Sequence, residues 1–157
     1  MSTPTIDFAG ICTALGNRFA AATLGTPTGA PAIRAVYPQS AKAVAALPAV
    51  ILEVQDGSVT ANSQWNHEMN IDVLLLLAKR PADPDRVEMW RQLYLPYLLH
   101  ATVDQLKISK GGQVGYSVDK ALPVSWEWDL YSVADVPYEA IRVGYRVWVT
   151  ETVALLP

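Results

Sequence analysis

The chain has 157 residues and a net charge of −3, and it is 51% hydrophobic and 17% charged, with a single cysteine, Cys12. One domain with a sizeable core is the expectation at this length. Apart from Lys79-Arg80, Lys and Arg are scattered singly, which excludes tight electrostatic binding to nucleic acid, and one cysteine excludes an internal disulfide or a cysteine-based zinc site and fits a reducing compartment. The charged share is low against a typical ~25%. With five Trp and seven Tyr, it predicts more apolar surface than a small monomer needs, for which a subunit interface is one place; the alternative is a compact monomer with a good core.

The first residues, MSTPTIDF, lack the charged and apolar regions of a signal peptide. Thr3 reads as an N-cap and Pro4 as the first helical residue, with Asp7 early in the helix where the dipole favours negative charge. Phe8, Cys12, Leu15, Phe19 and Ala22 then form one apolar helical stripe that ends at Gly25. Cys12 lies within it as a small buried side chain, not a nucleophile. Residues 32–37 predict a short strand, residues 40–47 an Ala-rich turn or loop, and residues 49–54 (AVILEV) a second strand led by Pro48. Asp56-Gly57 is a hairpin-turn signal, with 58–63 as a polar mobile loop.

The longest strand follows, in QWNHEMNIDVLLLLAKR (64–80). From Trp65 the odd positions are Trp65, His67, Met69, Ile71 and Val73, and the even ones are Asn66, Glu68, Asn70 and Asp72. This alternation predicts one wet and one buried face. The final VLLLLA is apolar on both sides, so both faces need cover from the fold or from another subunit. It is the longest apolar run and is far too short to span a bilayer. After Pro81, Asp83 caps a helix with Pro84 at its first position and Asp85 in its first turn. The stripe is Val87, Trp90, Leu93/Tyr94, Tyr97 and Ala101, and Pro96 inside it predicts a kink or a split. Gly111-Gly112 breaks the chain, 114–118 is a weak strand and 124–133 (VSWEWDLYSV) a strong one. A turn at 134–137 leads to a long final strand, 138–153. A turn centred between Asp135 and Val136 sets Asp129 opposite Arg142. The expected core is Phe8, Leu15, Phe19, Ile71, Val73, Leu75, Trp90, Leu93, Val143, Tyr145 and Val147.

Little in the chain suggests catalysis. His67 projects from the apolar face of its strand and reads as a core or interface histidine hydrogen-bonded to backbone. His100 falls near a helix C-terminus, where a cation suits the dipole. Glu68, Asp72, Glu127 and Asp129 are strand carboxylates on a polar face. An acid/base pair among them is conceivable, but no cleft-forming insertion accompanies them. There is no phosphate loop, no HExxH and no GxSxG. The expectation is a protein that is not an enzyme, with no catalytic residue, cofactor or metal site. The mixed charges Glu68, Asp72, Glu127, Asp129, Arg142 and Arg146, together with Trp148, predict a contact with a neighbouring protomer. The alternative is that these charges pair within the sheet and a loop caps Trp148.

The order of elements carries a resemblance. An N-terminal helix and a short strand precede the Pro-led LPAVILEV and the Trp-led QWNHEMNIDVLLLL. Then come the helix DPDRVEMWRQLYLPYL, a Trp-rich strand and EAIRVGYRVWVTETV. From about residue 5 to 153 this resembles the tail terminator proteins of long-tailed bacteriophages, the lambda U-like group. An Ala-rich insert at 38–47 and the linker 103–118 depart from the pattern. The resemblance implies an α+β fold, a mostly antiparallel sheet with two helices packed on one face, as one domain over 1–157. It implies a homo-oligomer, a hexameric ring that caps the tail tube protein, stops its polymerisation and meets the head-tail connector protein. DNA would pass through without specific binding and no membrane would be involved. The ring would sit at the head-proximal end of the virion tail after assembly in the host cytoplasm. Two other readings stay open: a neck or head-completion protein, and a small monomeric α+β domain with His67 and Trp/Tyr side chains around an apolar ligand.

Overall fold

The computed structural model describes residues 6–102 and 115–152. In chain order the elements are α1 (Phe8–Asn17), α2 (Ala21–Leu24), β1 (Ala35–Tyr37), β2 (Ala49–Ala61), β3 (Trp65–Lys79), α3 (Pro84–His100), β4 (Tyr116–Val133) and β5 (Val136–Glu151). The strands form one sheet in the order β1-β2-β3-β5-β4. Every neighbouring pair is antiparallel except β1–β2, which is parallel. The fold is therefore α+β with a mostly antiparallel sheet, as the resemblance implies, with three helices among the described residues where two were expected.

The alternation of β3 and β5 decides where the core lies. Ile71, Val73 and Leu75 on β3 and Val143, Tyr145 and Val147 on β5 are fully buried on one face. They meet Ile11 and Leu15 of α1, Phe19, and Tyr94 and Leu98 of α3 in a single cluster. Phe19 and Tyr145 pack edge to face at 5.6 Å. Leu74 and Leu76 point the other way and are fully buried too. A second cluster closes over them, built from Ile51, Ala140, Val133 and Tyr138 with Tyr37, Val44 and Leu47 packed against it. The Tyr37 hydroxyl accepts a hydrogen bond from the Ala45 amide at 3.1 Å, which pins this covering segment. The second cover that VLLLLA requires thus comes from the chain itself.

Several expectations change. Asp7, not Thr3, caps α1, and its carboxylate accepts from the Gly10 amide at 2.9 Å; Thr3 and Pro4 lie outside the described residues. The first helix stops at Asn17 instead of continuing to Gly25, and the break at 18–20 lets Phe19 enter the core. Phe8, expected inside, opens the helix at the sheet margin and stays 43% exposed. On α3 the inward positions are Val87, Tyr94 and Leu98, so Trp90 and Leu93 are half-buried at the sides. The helix runs through Pro96 without a split, and Asp83 caps it as expected, accepting from Asp85 N at 3.1 Å. The breaker Gly111-Gly112, the start of the weak strand at Val114 and the end of the final strand at Val153 lie outside the described residues. From Tyr116 the weak strand continues into 124–133 as one element.

Asp56-Gly57 is not a turn. β2 runs on to Ala61, and the register shifts by one residue between Val54 and Asp56. Gly57 is needed because the two backbones come close: a Cβ there would lie 2.7 Å from the Glu68 carbonyl oxygen, the usual reason for glycine at a bulge. Gly57→Ala should therefore cost about 1–3 kcal/mol through backbone displacement. Urea denaturation checks this, and a loss under about 0.5 kcal/mol would contradict the bulge.

Candidate functional site

The sheet face away from the helices is polar over most of its length, and its centre is Arg142 on β5. The connection before β5 is a two-residue turn with both central residues left-handed, Ala134 at φ 48° and Asp135 at φ 65°. Val133 then pairs with Val136, which sets Glu127, not Asp129, directly opposite Arg142. Asp129 still meets the guanidinium on the diagonal, with Nε and Nη2 both 2.8 Å from Oδ2. Asp72 of β3 accepts from Nη1 at 2.5 Å. Glu127 lies 3.5 Å from Nε and Glu53 of β2 lies 4.0 Å from Nη1. One cation from β5 thus ties carboxylates of β2, β3 and β4 together. Burial works against this charge, but hydrogen bonds to Asp129 and Asp72 outweigh it and hold the Arg142 pKa above its ordinary value. The Tyr131 hydroxyl donates to Glu53.

A second row lies further along the same face. Trp148 Nε1 donates to Glu68 at 3.1 Å, and Arg146 Nε donates to the Asn70 side chain at 3.3 Å. Asn70 in turn donates to Asp56 at 2.6 Å. Lys120 lies 4.3 Å above the Trp148 ring and Arg146 5.9 Å from its centroid, both within cation–π range. The structure brings Glu68, Asp72, Glu127, Asp129, Arg142, Arg146 and Trp148 onto one surface, where they engage one another inside the chain. Trp148 is covered by the Lys120 side chain, not by a loop.

His67 has a different partner from the backbone group expected. Its Nε2 lies 3.1 Å from Glu151 Oε1, with the two side chains 14% and 7% exposed, and the edge of Phe8 meets the ring at 5.8 Å. The Ile6 amide donates to the other Glu151 oxygen at 3.4 Å, so this pair also ties down the start of the described chain. Glu151, Glu139 and Glu53 are the partners that sequence reasoning missed. Glu139 holds Arg80 at 3.0 Å and Arg91 at 2.9 Å. Glu151 was detectable as the carboxylate two positions beyond Val149 in the apolar series of β5. His100 is exposed in the last turn of α3.

Apolar side chains remain in the open at both margins of the sheet. On β4, Trp126 is 50% exposed, Trp128 42% and Leu130 46%. The two indoles are 5.1 Å apart, and Arg91 lies 5.5 Å from the Trp128 centroid. At the β2 margin Phe8, Val54 and Val59 border an open groove of about 400 Å³ with His67 and Met69. A wider groove of about 740 Å³ runs beside it between α1, residues 38–40 and residues 52–55 of β2. Among the described residues no group of three or more His, Cys, Asp or Glu is placed to hold a metal ion, and no helix is long and apolar enough to cross a membrane. Burial pushes the Cys12 thiol up, away from thiolate reactivity. No family model matches the chain, and no curated protein matches it either.

Two outcomes follow from the charged face and the buried phenols. Arg142→Met should cost about 3 kcal/mol, because it leaves several close carboxylates without their cation; urea denaturation measures it, and a loss under about 0.5 kcal/mol would mean the cluster is not cohesive. Burial pushes the Tyr94 phenol up to about 12, and burial followed by the hydrogen bond to Glu53 does the same for Tyr131. A phenol that binds its proton more tightly folded than unfolded stabilises the fold fully below its ordinary pKa of 10.0. That contribution is lost as pH climbs toward about 12. Tyrosinate absorbance and circular dichroism should therefore show late-ionising phenols whose titration coincides with unfolding. Ionisation of every tyrosine near pH 10 in a chain that stays folded would contradict this burial.

Proposed function

We propose that this chain is a structural subunit of the tail terminator type: a protein that assembles into a ring, caps the tail tube, stops its growth and joins the tail to the head connector. The order of elements supports this reading, as does the α+β architecture it led us to expect. The observation that carries it is the placement of exposed apolar side chains. They are concentrated at the two opposite margins of one sheet, on β4 and on β2, which is where a repeating contact between like subunits needs them.

The charged face fits such a role in a different way from the one its composition suggests. Its two arginines, Arg142 and Arg146, are engaged by carboxylates and an amide of the same chain, so they are not free to grip phosphate. Acidic side chains outnumber basic ones on this face. A surface of this kind facing a lumen would let DNA pass without holding it. The predicted polar contact between protomers then falls to the exposed residues of this face, Glu68 and Glu127.

The test is assembly followed by activity on a growing tube. The purified protein should form closed rings of about six copies by negative-stain microscopy. Added to polymerising tail-tube protein, it should arrest elongation and appear at one end of each tube. Continued elongation with the protein unbound to tube ends would overturn the terminator role, even if rings form.

A further inference from the structure

The two margins of the sheet have matching chemistry and opposite strand direction. β2 runs antiparallel to β3, β3 to β5 and β5 to β4, so β4 runs antiparallel to β2. Among the described residues β4 has no neighbour on its outer side, and β1 covers only Ala49, Val50 and Ile51 of β2. The rest of β2, 52–61, is an open edge as well. Unpaired strand edges of this length are a liability that proteins ordinarily block or use. The β2 edge bulges between Val54 and Asp56, and β4 carries Pro123 and two bulges before Ser125, but residues 126–133 of β4 keep a regular register and both edges carry half-exposed apolar side chains.

The apolar side chains lie on the same face of the sheet. Trp126 pairs with Val143 and Trp128 with Ile141, both core positions, so both indoles stand on the helix side. Val54 pairs with Ile71, and Val59 with His67, which puts them on the helix side too. A rotation about an axis tilted moderately from the strands keeps their relative direction and face. It therefore brings β4 of one copy beside β2 of the next in antiparallel order, with apolar meeting apolar.

We propose that copies of this chain associate head to tail through these edges. The β4 edge, with Trp126, Trp128 and Leu130, docks along residues 52–61 of the next copy's β2, and the indoles enter the grooves beside Phe8, Val54 and Val59. The level of the two patches sets the stagger. Trp128 lies across the sheet from Val50, through Ile141 and Leu75, and β1 already occupies that part of β2. An incoming β4 must slide along β2 past Ile51, and a stagger of this kind is what strand tilt in a closed sheet requires. Two half-exposed indoles with Leu130 and Val124 offer on the order of 300 Å² of apolar surface. That matches the apolar core of a patch of ~800 Å² per partner. The contact is heterologous: each copy supplies a different edge to each neighbour, so the assembly closes or extends and does not stop at a dimer.

This inference rests on the ring reading for its choice of partner, a second copy, and the experiment separates the two. Light scattering and native mass spectrometry are run on the wild type, on Trp126→Ser/Trp128→Ser and on Val54→Asp/Val59→Asp, with folding checked by circular dichroism. All four substituted side chains are half-exposed, so the fold should hold; if one variant unfolds, the other decides. The wild type should assemble, and should remain assembled in about 1 M salt, where charge contacts are screened within ~3 Å. Each variant alone should fall to the 17.1 kDa monomer. An equimolar mixture of the two variants has one intact contact and should stop at a dimer of roughly 34 kDa. A wild type that is monomeric at every concentration overturns the ring reading and this contact together. A wild type that assembles while either folded variant assembles equally well overturns the edge contact and leaves the ring reading standing, as does dissociation in high salt. Dimers formed by the Val54→Asp/Val59→Asp variant alone would mean a two-fold contact through β4 and would also overturn the head-to-tail arrangement.

Discussion

The ladder between β3 and β5 is the constraint from which the rest of the fold follows. These strands pair from Trp65↔Glu151 to Lys79↔Tyr138 with one irregularity near Leu77. Because side chains alternate, that one register decides every inward and outward position at the centre of the sheet. It aligns Ile71 with Tyr145 and Val73 with Val143 under the helices. On the other face it brings Asp72 and Asn70 beside Arg142 and Arg146. A slip of one residue would bury the charges and expose the core, so α1, α3 and the segment over Leu74 and Leu76 all depend on this pairing.

The polar face shows how charge can hold strands together. Arg142 reaches acids on three other strands. Partly buried ion clusters seldom add much net stability over well-packed apolar groups. What this one adds is geometry, because a guanidinium can meet several carboxylates only in a narrow range of strand offsets. His67 with Glu151 does the same at one end of the sheet, and Glu139 with Arg80 and Arg91 fastens α3 at the other.

Much of the centre of the fold was legible because it rests on local periodicity. The alternation from Trp65 to Val73 marked β3 and its two faces, and Asp83-Pro84-Asp85 marked the start of α3. The failures have physical causes. Asp-Gly signals both a hairpin turn and a bulge where backbones approach closely, and at Gly57 the second applies. The turn at Ala134-Asp135 lacks the Asn-Gly pair that left-handed turns usually carry, so its centre was misplaced and Asp129 was set opposite Arg142. Glu53, Glu139 and Glu151 went unnoticed as partners because each acts across a distant strand or helix, as in the separation of 84 residues between His67 and Glu151. Trp126 and Trp128 were recognised as an alternating stripe. That the stripe lies at a margin depends on strand order, which periodicity does not encode.

The central claim is that the sheet has a stable middle and two edges completed by other copies of the chain. Backbone hydrogen exchange tests it amide by amide, because an edge strand leaves alternate N–H groups without partners. At concentrations where the chain is monomeric, amides of β3 and β5 should be protected throughout. Alternate amides of β4 and of residues 52–61 in β2 should exchange quickly. On assembly those same edge amides should slow together while the middle changes little. Edges that keep exchanging freely in the assembled protein, or slowing confined to other surfaces, would contradict the account.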